Sequence, residues 1–260
     1  MEPRRRPPPK PAKRNWRSGR PDRAPRDVAI LYGWHTVKAA LENPARQVRK
    51  LWATENAARR LAESGLSIAP EIVRPDFIDA RLGPDAVHQG LLAETDPLVG
   101  PEVDELPDDC TVMVLDQITD PHNVGAILRS AAAFGVNAMV TTARHSPEAT
   151  GVLAKSASGA LEYVSMITVQ NLARGMEELR GRGFLLIGLD SEGTSDLAAL
   201  TLRAPLALVL GAEGKGLRQL TRATCDHVAR IELPGAIVSL NVSNAAAVAL
   251  YVATRSIAAK

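Results

Sequence analysis

Short apolar runs alternate with helical segments through the second half of the chain, and this alternation limits the fold more than any other feature. The apolar runs cover residues 111–115, 138–142, 184–189, 206–210 and 228–231. Near-continuous apolar strands are typical of parallel sheets that helices cover on both faces. We therefore predict an α/β domain whose ligands bind beyond the carboxyl ends of the strands, in the loops after residues 115, 189, 210 and 231.

The helices of this domain are predicted from apolar spacing and from residues that start or stop a helix. They cover residues 124–134, 172–180 and 242–258. Asn123 suits the N-cap of the first helix and Gly135 its C-terminal stop. Ser239 or Asn241 is suited to cap the last one.

The first half of the chain predicts a smaller α/β unit. An apolar strand runs into Gly33 and a helix follows, with Val37, Ala40 and Leu41 on one face. Further strands are predicted over 48–53, 68–73 and 87–93, with helices over 56–64 and 74–82. A proline-containing acidic stretch then predicts a linker. The domains are thus expected at 27–95 and 110–260, with the linker at 96–109.

Charge is distributed unevenly along the 260 residues. Residues 1–26 hold ten Lys or Arg against two acids, whereas the remainder holds 21 basic and 27 acidic residues. Seven of the 18 prolines lie in this basic segment, which argues against a stable helix there. We expect a disordered arm at 1–26 that binds phosphates without sequence preference; the alternative is a solubilising tail.

Several classes of protein are excluded by composition. The longest apolar runs are far too short to span a membrane, and no run near Met1 resembles a signal-peptide core, so we expect a cytoplasmic protein. Cys110 and Cys225 are too few for a disulfide framework or a metal knuckle and are expected to be small buried residues. No metal site is predicted.

The first loop of interest reads Asp120-Pro-His-Asn123-Val-Gly125-Ala-Ile-Leu-Arg129. Asn123 and Gly125 alone would indicate only a turn and a helix cap. Arg129, however, lies among apolar helix residues, so we expect it to be partly buried, where a guanidinium needs an anionic or dipolar partner.

The second loop reads Gly211-Ala-Glu213-Gly214-Lys215-Gly216 and follows an apolar strand. It matches neither a dinucleotide fingerprint nor a phosphate-binding loop, because Gly216 occupies the position of the magnesium-binding hydroxyl. Glu213 would repel a phosphate. A carboxylate among close-packed glycines instead suits a neutral or cationic ligand, and S-adenosylmethionine, with its sulfonium and ammonium groups, is compatible.

Together with Ser239, Leu240 and Asn241 in the third loop, these residues resemble the three motifs of the SpoU family of RNA ribose 2′-O-methyltransferases, in the SPOUT class. The first motif is matched by Asn123, Gly125, Arg129 and Phe134-Gly135, and the second by Gly211, Glu213, Gly214 and Gly216. In the first half, Leu31-Tyr32-Gly33-x-His35-x-Val37 and Val87-His88-Gln89-Gly90 resemble the substrate-binding domain of family members that methylate bacterial ribosomal RNA.

The resemblance implies a carboxy-terminal fold tied in a deep trefoil knot, preceded by a small RNA-binding domain. It implies S-adenosylmethionine held by backbone around Gly211, Ile231 and Leu240. It also implies a homodimer in which the last helix packs against its partner. Closely spaced alanines would permit that approach, although helix propensity explains them equally well: Ala245, Ala246, Ala247, Ala249 and Ala253.

The family motif also implies catalytic roles. It assigns Arg129 to activation of the 2′-hydroxyl, sometimes as a general base. Because an arginine is permanently charged in proteins, our hypothesis is that Arg129 holds a substrate phosphate and stabilises the forming alkoxide. The residues expected to orient Arg129 and the ribose are Asn123, Glu213, Ser239 and Asn241. His122 could also contact RNA.

Three other functions compete with methylation of ribosomal RNA. A transfer-RNA methyltransferase is less favoured because the chain has an amino-terminal substrate-binding domain. A non-catalytic ribosome-assembly factor on the same scaffold should have lost Arg129, Glu213 or Asn241, and all three are present. A dehydrogenase-like domain would need the glycine fingerprint that is missing here.

Overall fold

A computed structural model describes residues 28–66, 68–83, 85–144 and 146–258. The predicted basic arm at 1–26 and His145 lie outside the described residues. Two β-sheets are formed, one in each half of the chain. Within the described residues, no helix combines the length and apolar character needed to cross a membrane, and no group of candidate ligands could hold a metal ion.

The first sheet has four strands in the order β1-β4-β2-β3, which are Ala29–Tyr32, Leu91–Thr95, Val48–Ala53 and Glu71–Ile72. Three helices accompany it: α1 (Trp34–Glu42), α2 (Glu55–Glu63) and α3 (Pro75–Leu82). The strand predicted over 68–73 is only two residues long. The strand predicted over 87–93 begins later, because Gln89 and Gly90 adopt positive φ angles of 54° and 77° and form a turn.

The second sheet has seven strands in the order β7-β6-β5-β10-β8-β11-β9, and every pairing in it is parallel. Its central strands are fully buried, as their apolar sequences predicted. The strands are β5 (Thr111–Asp116), β6 (Ala138–Thr142), β7 (Ser165–Val169), β8 (Leu185–Leu189), β9 (Ser195–Asp196), β10 (Leu206–Gly211) and β11 (His227–Arg230). The α/β class with a parallel sheet is therefore confirmed.

Five helices belong to this half: α4 (Pro121–Ala133), α5 (Gly151–Ala157), α6 (Leu172–Gly181), α7 (Gln219–Thr224) and α8 (Val242–Ala258). The bounds predicted for the last helix are correct. Helices α5 and α7 were not predicted, because seven and six residues are too few for a clear apolar period. Strand β7 was missed as well, since it lies at the sheet edge and is only partly buried.

The start of α4 differs from the prediction. Asp120, not Asn123, is the N-cap: its carboxylate accepts a hydrogen bond from the backbone N–H of His122 at 3.0 Å, and Pro121 occupies the first helical position. Asn123 lies inside the first turn, which frees its side chain for another contact. Gly135 follows the helix with φ of 70°, as expected for a C-terminal stop.

The two halves pack on each other. A buried ion pair joins Arg46 of the first half to Glu162 of the second, with an N–O distance of 2.6 Å and both side chains almost fully covered. Between them, Val103 and Leu106 in the segment predicted as a linker are buried, and Arg182 donates hydrogen bonds to both of their carbonyl groups. Of the two cysteines, Cys110 is buried as expected and Cys225 is half-buried.

Candidate active site

A cavity of about 620 Å³ lies at the carboxyl ends of β8, β10 and β11. This is where ligands bind in parallel sheets, and its volume lies in the range of small-molecule sites. Six of the predicted site residues line it: Gly211, Glu213, Ile231, Ser239, Leu240 and Asn241. The loops after residues 189, 210 and 231 form its walls, whereas the loop after residue 115 does not contribute.

The loop after β10 folds back on itself so that Gly211 and Gly216 lie close together. A Cβ atom on Gly211 would come within 2.1 Å of the carbonyl carbon of Gly216, so no side chain fits there. The backbone N–H of Gly216 donates to the carbonyl of Ala212 at 2.8 Å, and Gly216 itself has φ of 63°. The glycines therefore allow a compact loop that brings backbone, and not side chains, to the cavity wall.

Five charged residues line the cavity: the carboxylates Asp190, Glu192 and Glu213, and the cations Lys215 and Arg222. Asp190 is paired with Arg222 at 2.8 Å, whereas Glu213 is exposed and has no ion-pair partner among the described residues. With Asp190 and Arg222 paired, the other charged groups, Glu192, Glu213 and Lys215, leave the cavity with a net negative charge, which favours a cationic ligand.

Asn241 joins two of the motif loops. Its Oδ1 accepts a hydrogen bond from the backbone N–H of Ser243 at 2.9 Å. Of the two residues predicted to cap α8, Ser239 and Asn241, it is therefore Asn241 that does so. Its Nδ2 donates to Oδ1 of Asn123 at 3.1 Å. Asn123 does not itself line the cavity, but this bond fixes it to the residue that does.

Arg129 is exposed, and the expectation that it would be partly buried is wrong. Its apolar neighbours in sequence lie on the opposite side of α4: Val124, Ile127, Leu128 and Ala131 form the buried face, spaced by three and four residues. Arg129 falls outside that face and does not line the cavity. Within the described residues its guanidinium has no ion pair, so it is available to a ligand.

Family models match the chain in two places. The model of the SpoU rRNA Methylase family covers residues 111–251, and the model for RNA 2′-O ribose methyltransferase substrate binding covers residues 30–99. The chain belongs to the SpoU rRNA methylase family. The two matched ranges correspond to the seven-stranded and four-stranded sheets.

Curated relatives resemble the chain over nearly their whole length. The 23S rRNA (guanosine-2′-O-)-methyltransferase RlmB of Ralstonia nicotianae is 41% identical over 238 residues, covering 87% of this chain and 95% of the relative. The RlmB protein of Pseudomonas putida is 36% identical over 236 residues, with 86% and 95% coverage.

Among solved structures, the SpoU methyltransferase AviRb from Streptomyces viridochromogenes, in complex with AdoMet, superposes with a TM-score of 0.75 at 25% identity. The match covers 88% of this chain and 90% of that one. In the present SpoU-family chain, the cavity combines apolar walls, glycine backbone and an unpaired carboxylate, which fits a cofactor with two cationic groups. The trefoil knot expected from the family stays a prediction.

Two charged residues next to the SpoU motifs were not identified from the sequence. Asp116, at the carboxyl end of β5, is fully buried and pairs with Arg218 at 2.6 Å; its place directly after an apolar strand could have signalled it. Lys155 in α5 is half-buried, and its Nζ donates to Oε1 of Gln89 at 2.9 Å. Burial lowers the pKa of Lys155. No local sequence signal pointed to this lysine.

Proposed function

We propose that this SpoU-family chain transfers a methyl group from S-adenosylmethionine to the 2′-hydroxyl of a guanosine in large-subunit ribosomal RNA. The observation that carries the proposal is the cavity in which the second and third motifs meet, tied to the first by the bond between Asn241 and Asn123. The RlmB relatives, which span both domains of this chain, support ribosomal RNA as the substrate. Such a reaction would take place in the cytoplasm.

Cofactor binding is assigned to the backbone around Gly211, Ile231 and Leu240. When bound, S-adenosylmethionine supplies an electrophilic methyl group on a positively charged sulfur. Glu213, unpaired at the mouth of the cavity, lowers the energy of a cationic ligand there. The tight glycine loop excludes side chains from the wall, so the ligand can contact peptide groups directly.

Activation of the ribose hydroxyl is assigned to Arg129. A ribose hydroxyl is a very weak acid, so its attack requires stabilisation of the forming alkoxide and in-line positioning. The exposed, unpaired guanidinium can hold a phosphate next to the target ribose with two parallel hydrogen bonds. It thereby places a fixed positive charge beside the oxygen that becomes negative.

Positioning of the ribose is assigned to Asn123, Ser239 and Asn241. The bond from Asn241 to Asn123 holds the start of α4 against the start of α8, and both helices pack together. Ser239 is exposed at the rim of the same cavity. These neutral groups can orient a hydroxyl by hydrogen bonds without competing for the charge that Arg129 supplies.

A homodimer is also part of the proposal, and α8 supports it. Ala246, Ala249 and Ala253 are buried in the subunit's own core, so they cannot provide the partner contact. The opposite side of α8 exposes Val248 and Tyr251, which are spaced to lie on one face. Ile237 and Val238, in the loop before the helix, are about three-quarters exposed and extend this apolar surface. Light scattering at several concentrations would give the mass of the assembly.

Methyl transfer from labelled S-adenosylmethionine to unmodified ribosomal and transfer RNA tests the function. A labelled, nuclease-resistant dinucleotide from ribosomal RNA is expected, because a 2′-O-methyl group blocks cleavage at that linkage. Label in transfer RNA would reassign the substrate. Cofactor binding without transfer to either RNA would favour the non-catalytic assembly factor.

Variants of Arg129 test its role as a cation. Arg129→Ala should lower kcat by about 10²-fold or more, since preorganised charge stabilisation is worth factors of that order. Arg129→Lys should retain measurable activity because the charge remains. Complete loss in the lysine variant, with RNA and cofactor affinity intact, would contradict simple charge stabilisation. The exposed position of Arg129 makes unfolding an improbable outcome, and a melting curve checks it.

A further inference from the structure

The two amino-terminal motifs, Tyr32-Gly33-x-His35 and His88-Gln89-Gly90, do not line the cofactor cavity, yet both lie against one residue of the methyltransferase domain. Lys155 extends from α5 towards both. Its Nζ donates to Oε1 of Gln89 at 2.9 Å, and a Cβ atom on Gly33 would lie only 2.3 Å from that nitrogen. Gly33 is therefore a position where a side chain would collide with the ammonium group.

The backbone around this contact is unusual. Gln89 adopts φ of 54°, a left-handed conformation that few non-glycine residues take, and Gly33 has φ of 86°. The left-handed turn directs the Gln89 carboxamide so that its oxygen also accepts the backbone N–H of Trp34, at 2.9 Å. One amide oxygen thus caps α1 and contacts Lys155 at the same time.

Lys155 lacks the partner that a half-buried cation normally has. Among the described residues, no carboxylate lies within ion-pair distance of Nζ, and Nζ donates to the amide oxygen of Gln89 at 2.9 Å. An ammonium group has three N–H donors. A cation with donors left over, beside an exposed amide, is arranged to accept an anion from solution.

The contact also lies next to the first motif. Ser156, the following residue, has its Oγ 3.2 Å from Nδ1 of His122 in the first turn of α4. Gly125 packs so closely on Ser156 that a Cβ atom there would come within 2.4 Å of the serine Cβ. Arg129 follows Gly125 by about one helical turn and is exposed. Lys155 and Arg129 thus lie on two helices that pack together, α5 and α4, and neither has an ion pair among the described residues.

We propose that Lys155 binds a phosphate of the substrate RNA near the target ribose, and that Gln89 and Gly33 are positioning residues that set the direction of its side chain. The substrate-binding domain would then do more than hold RNA, because it also orients a cation of the methyltransferase domain. This inference rests on the proposed function for its substrate class, but its binding test does not require methyl transfer.

Three variants of Lys155 distinguish the effect of its charge from the effect of its hydrogen bond to Gln89. Lys155→Met removes both the charge and the hydrogen-bond donor, Lys155→Gln removes the charge but keeps an N–H donor on a slightly shorter side chain, and Lys155→Arg keeps the charge. A matched control, Lys38→Met, removes the same charge from α1, where Lys38 pairs with Glu42 on the surface. Each variant is measured in the full chain for the Kd of ribosomal RNA at several salt concentrations, the Kd of S-adenosylmethionine, kcat, the RNA KM and the melting temperature.

The methionine and glutamine variants should both weaken RNA binding about tenfold, raise the RNA KM similarly and leave cofactor affinity unchanged. The slope of log Kd against log salt should fall by about 0.7–0.9, as for the loss of one phosphate contact. The arginine variant and the Lys38 control should stay near the wild type. Wild-type-like affinity and slope in the glutamine variant would overturn the proposal, because RNA binding would then not depend on the charge of Lys155. If the wild type binds RNA but transfers no methyl group, the proposed function fails, whereas the affinities still decide the role of Lys155.

Discussion

The two halves of the molecule meet at two charged contacts of opposite character. At the first, Arg46 forms a two-pronged pair with Glu162 in which both side chains are almost fully buried, and its Nη1 donates to the carbonyl of Asp96 at 3.0 Å. At the second, Lys155 is half-buried, and in the part of the chain that the structure describes its ammonium has no carboxylate partner and donates to the neutral amide oxygen of Gln89. The first contact satisfies its charges within the protein, whereas the second leaves a positive charge unmatched.

This difference separates a structural contact from a functional one. A buried ion pair is inaccessible to a ligand and mainly fixes the orientation of two domains. An under-paired cation costs folding free energy, because burial disfavours its charged form. An anion that binds from solution supplies the missing opposite charge and recovers part of this free energy. The comparison therefore predicts that stability depends on the first contact and RNA affinity on the second.

The largest effect is expected from Arg46→Met, which leaves Glu162 buried without its cation. Breaking one partner of a buried pair costs about 3–5 kcal/mol in the free energy of unfolding. The double variant Arg46→Met/Glu162→Leu should recover much of this loss, since it leaves no charge unpaired. Chemical denaturation of both variants measures the difference, and RNA affinity of the folded double variant should be close to wild type.

The exposed pair between Lys38 and Glu42 is the control for that experiment. It lies on the surface of α1, with side chains 30% and 42% exposed, so Lys38→Met should cost under about 1 kcal/mol. A similarly small loss in Arg46→Met would mean that the buried pair does not hold the domains together, and the contrast between the two contacts would disappear.

A smaller effect on stability, with a clear effect on RNA, is expected from Gly33→Ala. Gly33 has φ of 86° and ψ of 157°, and Gly83 has nearly the same backbone, with φ of 96° and ψ of 156°. An alanine in this region should cost about 1–3 kcal/mol at either position. Around Gly83, its chain neighbours aside, no atom of the described residues lies within 4 Å of the added Cβ, whereas at Gly33 the added Cβ displaces the ammonium of Lys155.

Only Gly33→Ala should therefore weaken RNA binding, although both variants lose similar stability. Melting curves and RNA titrations of the two proteins, carried out side by side, measure this. Equal RNA affinity in the two alanine variants would show that the direction of the Lys155 side chain does not matter.

The sequence predicted well those elements whose pattern is local. The buried runs at 111–115 and 206–210 and the capped helix at 242–258 carry their own period and end signals, and the structure confirms them. The start of α4 could also have been found, because Asp120-Pro121 is a better cap and first position than Asn123. Arg129 was misplaced because neighbours in sequence were treated as neighbours on a helix, where each residue turns by about 100°.

The contact between Lys155 and Gln89 could not have been predicted in this way. These residues are 66 positions apart, and each belongs to a different half of the chain with its own sheet. Only the packing of the two domains brings them together. The bond from Asn241 to Asn123, across 118 positions, has the same origin. Motif resemblance identified both asparagines, but it could not show that they contact each other.

The smallest effect is expected from pH. Burial lowers the pKa of Lys155 from its ordinary value of 10.5, so in the folded protein this lysine loses its proton at a lower pH than in the unfolded chain. Between the lowered pKa and 10.5 the unfolded chain binds more protons, and the contribution of Lys155 to stability therefore rises with pH. RNA binding should change in the opposite direction, because the cation disappears over the same range. In RNA titrations at successively higher pH, the wild type should begin to lose affinity at a lower pH than Lys155→Arg, whose charge is permanent. Titration of the RNA itself affects both proteins equally. Parallel pH profiles for the two proteins would mean that the charge of Lys155 does not reach the RNA.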